Sequence, residues 1–340
     1  MIRADIKYCG GMIAKLLRFT AVFAAVVFMP YSVGQTLRLV ADEWPTYVEY
    51  DPDRSRLTDL ASAILNATKT RHNIDVSTLA MSVSGLKAGR YDGYIDQLSL
   101  LETRPGFIYS QPFFTHHLHI VSKQESAQEI TSQSQLRRER VGIVRRFADS
   151  DRIRNLHDVR WARVPTDFDN FRQLADDRVD FILADRLQVE EFNRLLAADG
   201  EELLYISQRP MISVNVSLGI KADIENAKQL IAQFDDAKQQ LLSSGQINRI
   251  MDIAVLLSTD AAGNQQLIVN NSVEAMPDAG KLLQHAYKLG AFRSTEPTSY
   301  RVDGRTYETW NDAREQVRVR PVKRGSLLDD ALYKPLVDSW

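Results

Sequence analysis

The chain has 340 residues, 44% of them hydrophobic and 25% charged, with a formal net charge of -2 and one cysteine, Cys9. That length suffices for two lobes with real cores, and the apolar content excludes a disordered chain. The mildly acidic balance leaves no basic footprint for nucleic acid, and a single cysteine excludes a disulfide framework.

Residues 1–34 read as a signal peptide. Lys15 and Arg18 precede an apolar run from Ala21 to Met29, which is short for a membrane span. Small residues Ser32 and Gly34 make Gly34–Gln35 the expected cleavage point, and Met12 offers a second start. Export to the periplasm follows, and the mature chain would carry no cysteine.

From Leu37 to Ala41 the pattern is a first strand, ended by the polar aromatic loop Asp42-Glu43-Trp44-Pro45. Leu57, Leu60, Ala61, Ile64 and Leu65 recur at helical spacing, with Asp53 and Ser55 as candidate caps. Ile74 and Val76 suggest a second strand. Met81 to Lys87 reads as a short helix broken by Gly85 and ended by Gly89. Next comes Asp92 to Arg104, where Tyr94, Ile95 and Leu98 form a strand leading to Ser99, Glu102, Thr103 and Arg104. Ligands of open α/β sheets collect at the carboxyl ends of strands. Arg104 therefore stands out, because a guanidinium fork matches a carboxylate in two bonds. The other reading of Arg104 is a solvated turn before Pro105.

A second alternating series follows. It has strands at His119–Val121, Val141–Val144 and Val179–Ala184, with helices at Phe168–Leu174 and Gln188–Leu196. Phe181-Ile182-Leu183 reads as a strand buried on both faces and closing on Asp185. After Leu203–Ile206, the alternation of Ile212, Val214, Val216 and Leu218 gives a strand returning to the first series. A long helical pattern from Ile224 to Ile253 is interrupted at Gly245. Two α/β series joined by two crossings define a hinged two-lobe protein with its ligand cleft between the lobes.

Four motifs carry a resemblance to a known family. They are Asp59-Leu60-Ala61, Leu86 to Asp92, Ser99 with Glu102 and Arg104 followed by Tyr109 to Phe113, and Asp180 to Asp185. Together they resemble the type 2 periplasmic solute-binding proteins, in the branch that captures polar amino acids for ABC transporters. The resemblance implies the two-lobe periplasmic-binding-protein-like II α/β fold. Lobe 1 would hold residues 35–118 and 213–254, lobe 2 residues 119–212, and residues 255–340 would be a C-terminal extension. It implies Arg104 for a ligand carboxylate, Asp185 for its ammonium, Ser99 as a helping hydroxyl, Trp44 as an aromatic wall and Asp42 for basic side chains.

The chain departs from that pattern in two places. Asp96 and Gln97 stand where a small residue is usual, and Arg146-Phe147-Ala148 replaces a Gly-Thr-Thr loop, so Arg146 becomes a candidate ligand contact. Asp96 beside a carboxylate would repel it, which favours a ligand with an extra positive group. Trp44 also reads as a packed loop anchor, and Asp42 as a turn cap.

His116, His117 and His119 invite a metal reading, against exposed imidazoles on a hinge-edge strand. Arg137, Arg138, Arg140, Arg145 and Arg146 read as a solvated surface or an anion site. The extension shows a helical stretch from Gly280 to Gly290 and a hairpin turn at Asp303-Gly304, and its aromatics either pack on a lobe or dock a partner. The expected function is capture of an amino acid or similar small zwitterion, without cofactor, for an ABC permease. Alternatives are a sensor working with a membrane partner, or an enzyme of dehydratase type with Asp96 or Glu102 as acid.

Overall fold

The computed structural model describes residues 36–50, 55–96, 105–148, 151–259, 263–271, 286–290, 297–318, 328 and 330–340. The expected signal peptide, its expected cleavage point and Asp53 lie outside them.

The first lobe starts as its apolar periodicity dictates. Strand β1 (Leu37–Asp42) leads to helix α1 (Arg56–Ala67), which buries Leu57, Leu60, Ala61, Ile64 and Leu65 against the sheet. Ser55 stands at the N-cap position of α1 but makes no side-chain cap bond, its Oγ instead accepting from Glu49 N–H at 3.0 Å. Strand β2 (His72–Ser77), helix α2 (Leu79–Lys87) and strand β3 (Gly93–Asp96) follow, with β2 and β3 both parallel to β1.

Helix α2 is not broken at Gly85, as its sequence suggested. It runs through Gly85, where a Cβ would lie 2.5 Å from the Tyr91 ring, so the glycine serves close packing rather than a stop. The stop is Gly89, at φ +72°. Gly93 is also a packing glycine, since a Cβ there would meet the Gly219 carbonyl at 2.4 Å.

Strand β4 (Phe107–Tyr109), which pairs antiparallel with residues 219–221, is followed by the long strand β5 (Phe114–Ser122), which leaves the first lobe. The second lobe contains β6 (Arg140–Val144), the single turn α3 (Arg145–Ala148), β7 (Arg160–Val164), α4 (Asp167–Ala175), β8 (Phe181–Asp185) and α5 (Arg186–Asp199). Strand β7 was not legible in the sequence, because Arg160 and Arg163 interrupt its apolar run. The chain returns through β9 (Tyr205–Ile206) and β10 (Ile212–Lys221).

The strand order β2-β1-β3-β10-β5-β8-β6-β7 explains the two lobes. Strands β5 and β10 pair antiparallel from Phe114–Val216 to Leu118–Ile212, then diverge, with β10 joining β3 and β5 joining β8. They are the crossings between the two series.

Helix α6 (Ala227–Ser243) packs on α1 and ends before Gly245, whose φ of +73° turns the chain into α7 (Gln246–Met251). The extension then builds its own sheet from β11 (Val255–Thr259), β12 (Gln265–Val269), β13 (Tyr287–Lys288), β14 (Ser299–Val302) and β15 (Arg305–Tyr307), ordered β13-β11-β12-β14-β15. The hairpin at Asp303-Gly304 forms, with Tyr300 opposite Tyr307.

The helix expected over 280–290 is absent from its described part. Tyr287–Lys288 form a strand there instead, because Tyr287 pairs with Leu256 and buries its ring against Phe114.

The last segment, Asp330–Ser339, coils with positive φ at Ala331, Tyr333, Lys334, Leu336 and Val337. That left-handed winding costs L-residues roughly 1–2 kcal/mol each. Working against the cost, Tyr333 packs on Phe168, Phe171 and Phe192, and Trp340 on Phe192.

Candidate functional site: the seam between the lobes

Asp185 is the centre of the site. It ends β8 and caps α5, where its carboxylate accepts from Leu187 N–H at 3.1 Å and Gln188 N–H at 3.4 Å. Such a cap answers the unsatisfied N–H groups that open any helix. Two side chains from elsewhere complete its shell. Tyr47, in the β1–α1 loop of the first lobe, donates its hydroxyl to Oδ1, and His116 on β5 meets Oδ2 through Nδ1 at 3.0 Å. Asp185 is 1% exposed, and Tyr47 and His116 are fully buried. The first lobe, the crossing strand and the second lobe therefore meet on one carboxylate.

The charge states follow from these contacts. Burial works to raise the Asp185 carboxyl, but His116 and the hydroxyl of Tyr47, with the Gln188 amide, hold it below the usual carboxylate range. Burial lowers His116 against the pull of Asp185. The pair is thus an ionised carboxylate facing a neutral imidazole that donates from Nδ1, which leaves His116 Nε2 a buried acceptor with no partner among the described residues.

Around this centre the walls are aromatic. Trp44 is buried, with ring centroids 4.2 Å from His116, 4.9 Å from Tyr47 and 5.7 Å from Phe147 of the second lobe. The Trp44–Val48 turn holds it, through Trp44 N–H to Val48 O at 2.8 Å. Arg146, on α3, lies 5.2 Å over the Trp44 ring and donates to the Glu43 carbonyl, a second tie between the lobes. A third runs through Gln188, whose Nε2 reaches Thr46 at 3.3 Å and Asp167 at 3.2 Å, while its Oε1 is buried without a partner among the described residues. Burial first, then the charge of Asp185, lifts the Asp167 carboxyl to about 6.

The structure therefore brings together three of the candidates named from sequence: Trp44, Asp185 and Arg146. Asp42 is half-buried at the carboxyl end of β1. Gln97, Ser99, Glu102 and Arg104, together with the side chain of Asp96, lie outside the described residues. Sequence reasoning missed Tyr47, Gln188 and Asp167 as members of the seam. A signal for Tyr47 was present in the aromatic loop after β1, but no periodicity marks one loop residue over another.

The histidine cluster is a correction. β5 is not an edge strand, since it pairs with both β10 and β8, and all three imidazoles are buried rather than exposed. His117 Nδ1 meets Ser213 Oγ at 2.9 Å and its Nε2 donates to the Lys288 carbonyl at 2.6 Å; His119 donates from Nδ1 to the Ser207 carbonyl at 2.7 Å. Of the arginine cluster, Arg137, Arg138, Arg140 and Arg145 are on the surface, and only Arg146 enters the seam.

No family model matches the chain, and no curated protein matches it. Solved structures do. The ligand-binding core of GluR0 in complex with L-glutamate is 15% identical over 65% of this chain and 98% of its own, with a TM-score of 0.52. The corresponding core from Nostoc punctiforme, also with L-glutamate, is 17% identical over 64% and 97%, at 0.49. AbpA, an amino acid ABC transporter substrate-binding protein from Streptococcus pneumoniae bound to L-arginine, is 15% identical over 64% and 93%, at 0.46. The likeness to the first carries the fold: this chain has the two-lobe architecture of the type 2 periplasmic binding proteins. About a third of the chain lies outside that match.

Proposed function

We propose that the chain captures a small polar solute, an amino acid or similar zwitterion, between its lobes, and delivers it to an ABC permease from the periplasm. The observation that carries this reading is the position of Asp185, an ionised carboxylate shared by both lobes and the crossing strand beneath an aromatic wall. A ligand ammonium would take the place that the Tyr47 hydroxyl now holds, so binding begins with the lobes parted and Asp185 released. Support comes also from the buried acceptors His116 Nε2 and Gln188 Oε1, which a ligand's N–H groups would satisfy. Arg104 would hold the carboxylate, with Ser99 beside it. Asp42, Asp96 and Gln97 would add acceptors for a further positive group, and Arg146 a donor.

Micromolar affinity requires about 8 kcal/mol net, which two charge-assisted contacts and aromatic burial supply after closure costs. Trp44 reports on the event. Amino-acid addition is expected to change tryptophan fluorescence in the wild type, with no change in Trp44→Phe or Arg104→Ala. An undiminished change in Arg104→Ala would remove that residue from the site. A sensory role is the second reading, favoured by the C-terminal module resting against the crossing strand.

A further inference from the structure

The extension does not merely follow the lobes; its 286–290 segment lies on the strand that joins them. Tyr287 is 1% exposed, with its ring stacked on Phe114 at 5.5 Å and 8° and its hydroxyl donating to the Thr115 carbonyl at 2.8 Å. Gly290 N–H donates to Thr115 Oγ1 at 3.1 Å. His117 ties Lys288 of the segment to Ser213 of β10, and so to the other crossing. On the second lobe, Arg186 at the start of α5 reaches the Ala286 carbonyl at 3.4 Å.

The module is rooted on the opposite lobe. Arg301 donates to the Ser243 carbonyl at 3.3 Å, Asn270 to the Gly245 carbonyl at 2.5 Å, and Asn248 of α7 to the Ile268 carbonyl at 3.0 Å. Side chains alternate along a strand. The Thr115 and His117 side chains accordingly meet Gly290 and Lys288 of the module, while His116 between them turns to Asp185. The crossing strand is held by the extension as well as by the seam, and Phe114, on the same face as His116, stacks on Tyr287.

We propose that the C-terminal module is a hinge clamp, holding β5 and the start of α5 in the geometry in which Tyr47 reaches Asp185 and so setting how readily the lobes part. Lobe rotation is absorbed by dihedral changes in the crossing strands. Bonds from Tyr287, Lys288 and Gly290 to β5 are made in the closed arrangement and yield when it opens. This goes beyond solute capture and does not depend on it.

The test uses thiol labelling without solute, in the full chain with Cys9→Ser. Thr46→Cys places a thiol in the seam, and Ala61→Cys places one in the first-lobe core that only global unfolding exposes. In the parent, the Thr46→Cys thiol is expected to react much faster than the Ala61→Cys thiol. Adding Tyr287→Phe, which keeps the ring and deletes the bond to Thr115, is expected to speed Thr46→Cys labelling about fivefold, the weight of one hydrogen bond. Equal parental rates at the two sites would mean that the lobes do not part short of unfolding, and would overturn the clamp. So would an unchanged Thr46→Cys rate in Tyr287→Phe.

Discussion

Asp185→Ala is expected to lower the unfolding free energy by about 3–5 kcal/mol, the cost of leaving several buried donors without their acceptor. The size follows from what the substitution strands. Tyr47 OH, His116 Nδ1 and the Leu187 and Gln188 N–H groups all lose their acceptor, and all but Leu187 belong to buried residues. The cap of α5 alone accounts for about 1 kcal/mol of this. Asp185→Asn keeps the shape and one acceptor oxygen and should cost less. Guanidinium unfolding of the two variants checks the order. A loss under about 1 kcal/mol for Asp185→Ala would show that water replaces the carboxylate, and that the seam is wetter than its burial indicates.

Acid is expected to act almost as strongly, through β5. Burial pushes His117 down to about 4 and His119 down to about 3, and lowers His116 as well. An unfolded histidine takes up its proton near 6.5, so the folded state loses stability as pH falls from there toward the folded values. Asp167 works in the opposite sense. Its carboxyl, raised to about 6, binds a proton in the folded state before the unfolded one does, which returns stability over the same window. His117 and His119 against Asp167 leave a net uptake of about one proton on unfolding between pH 6 and 4, or roughly 1.4 kcal/mol per pH unit, and His116, lowered by burial, adds in the same direction. Urea midpoints measured across that range should fall steeply, and a flat profile would contradict the neutral, buried state of the three imidazoles.

These residues also show where the sequence was readable and where it was not. Strong periodicity located α1, α4, α5 and α6, and the apolar run Phe181–Leu183 pointed to Asp185, because local pattern and tertiary burial agree there. They disagree at the histidines. A polar-looking strand reads as exposed, yet β5 is covered by the seam and by a module more than 160 residues further along the chain. The same distance hid β13, since nothing local to Tyr287 announces that Phe114 will receive it. Tyr47 was illegible for the converse reason, being a loop residue whose importance comes from the partner it meets 138 positions away. The four-motif resemblance carried the fold across these gaps. It could not foresee that Asp185 would already be engaged by the chain's own tyrosine and histidine.

Calorimetric titration of the wild type and of Asp185→Asn with basic and zwitterionic amino acids tests the central claim most directly. The seam described here predicts one saturable site for at least one such solute in the wild type, and its loss in Asp185→Asn. Binding of equal strength in both proteins, or heats of dilution alone across the whole series in the wild type, would contradict it.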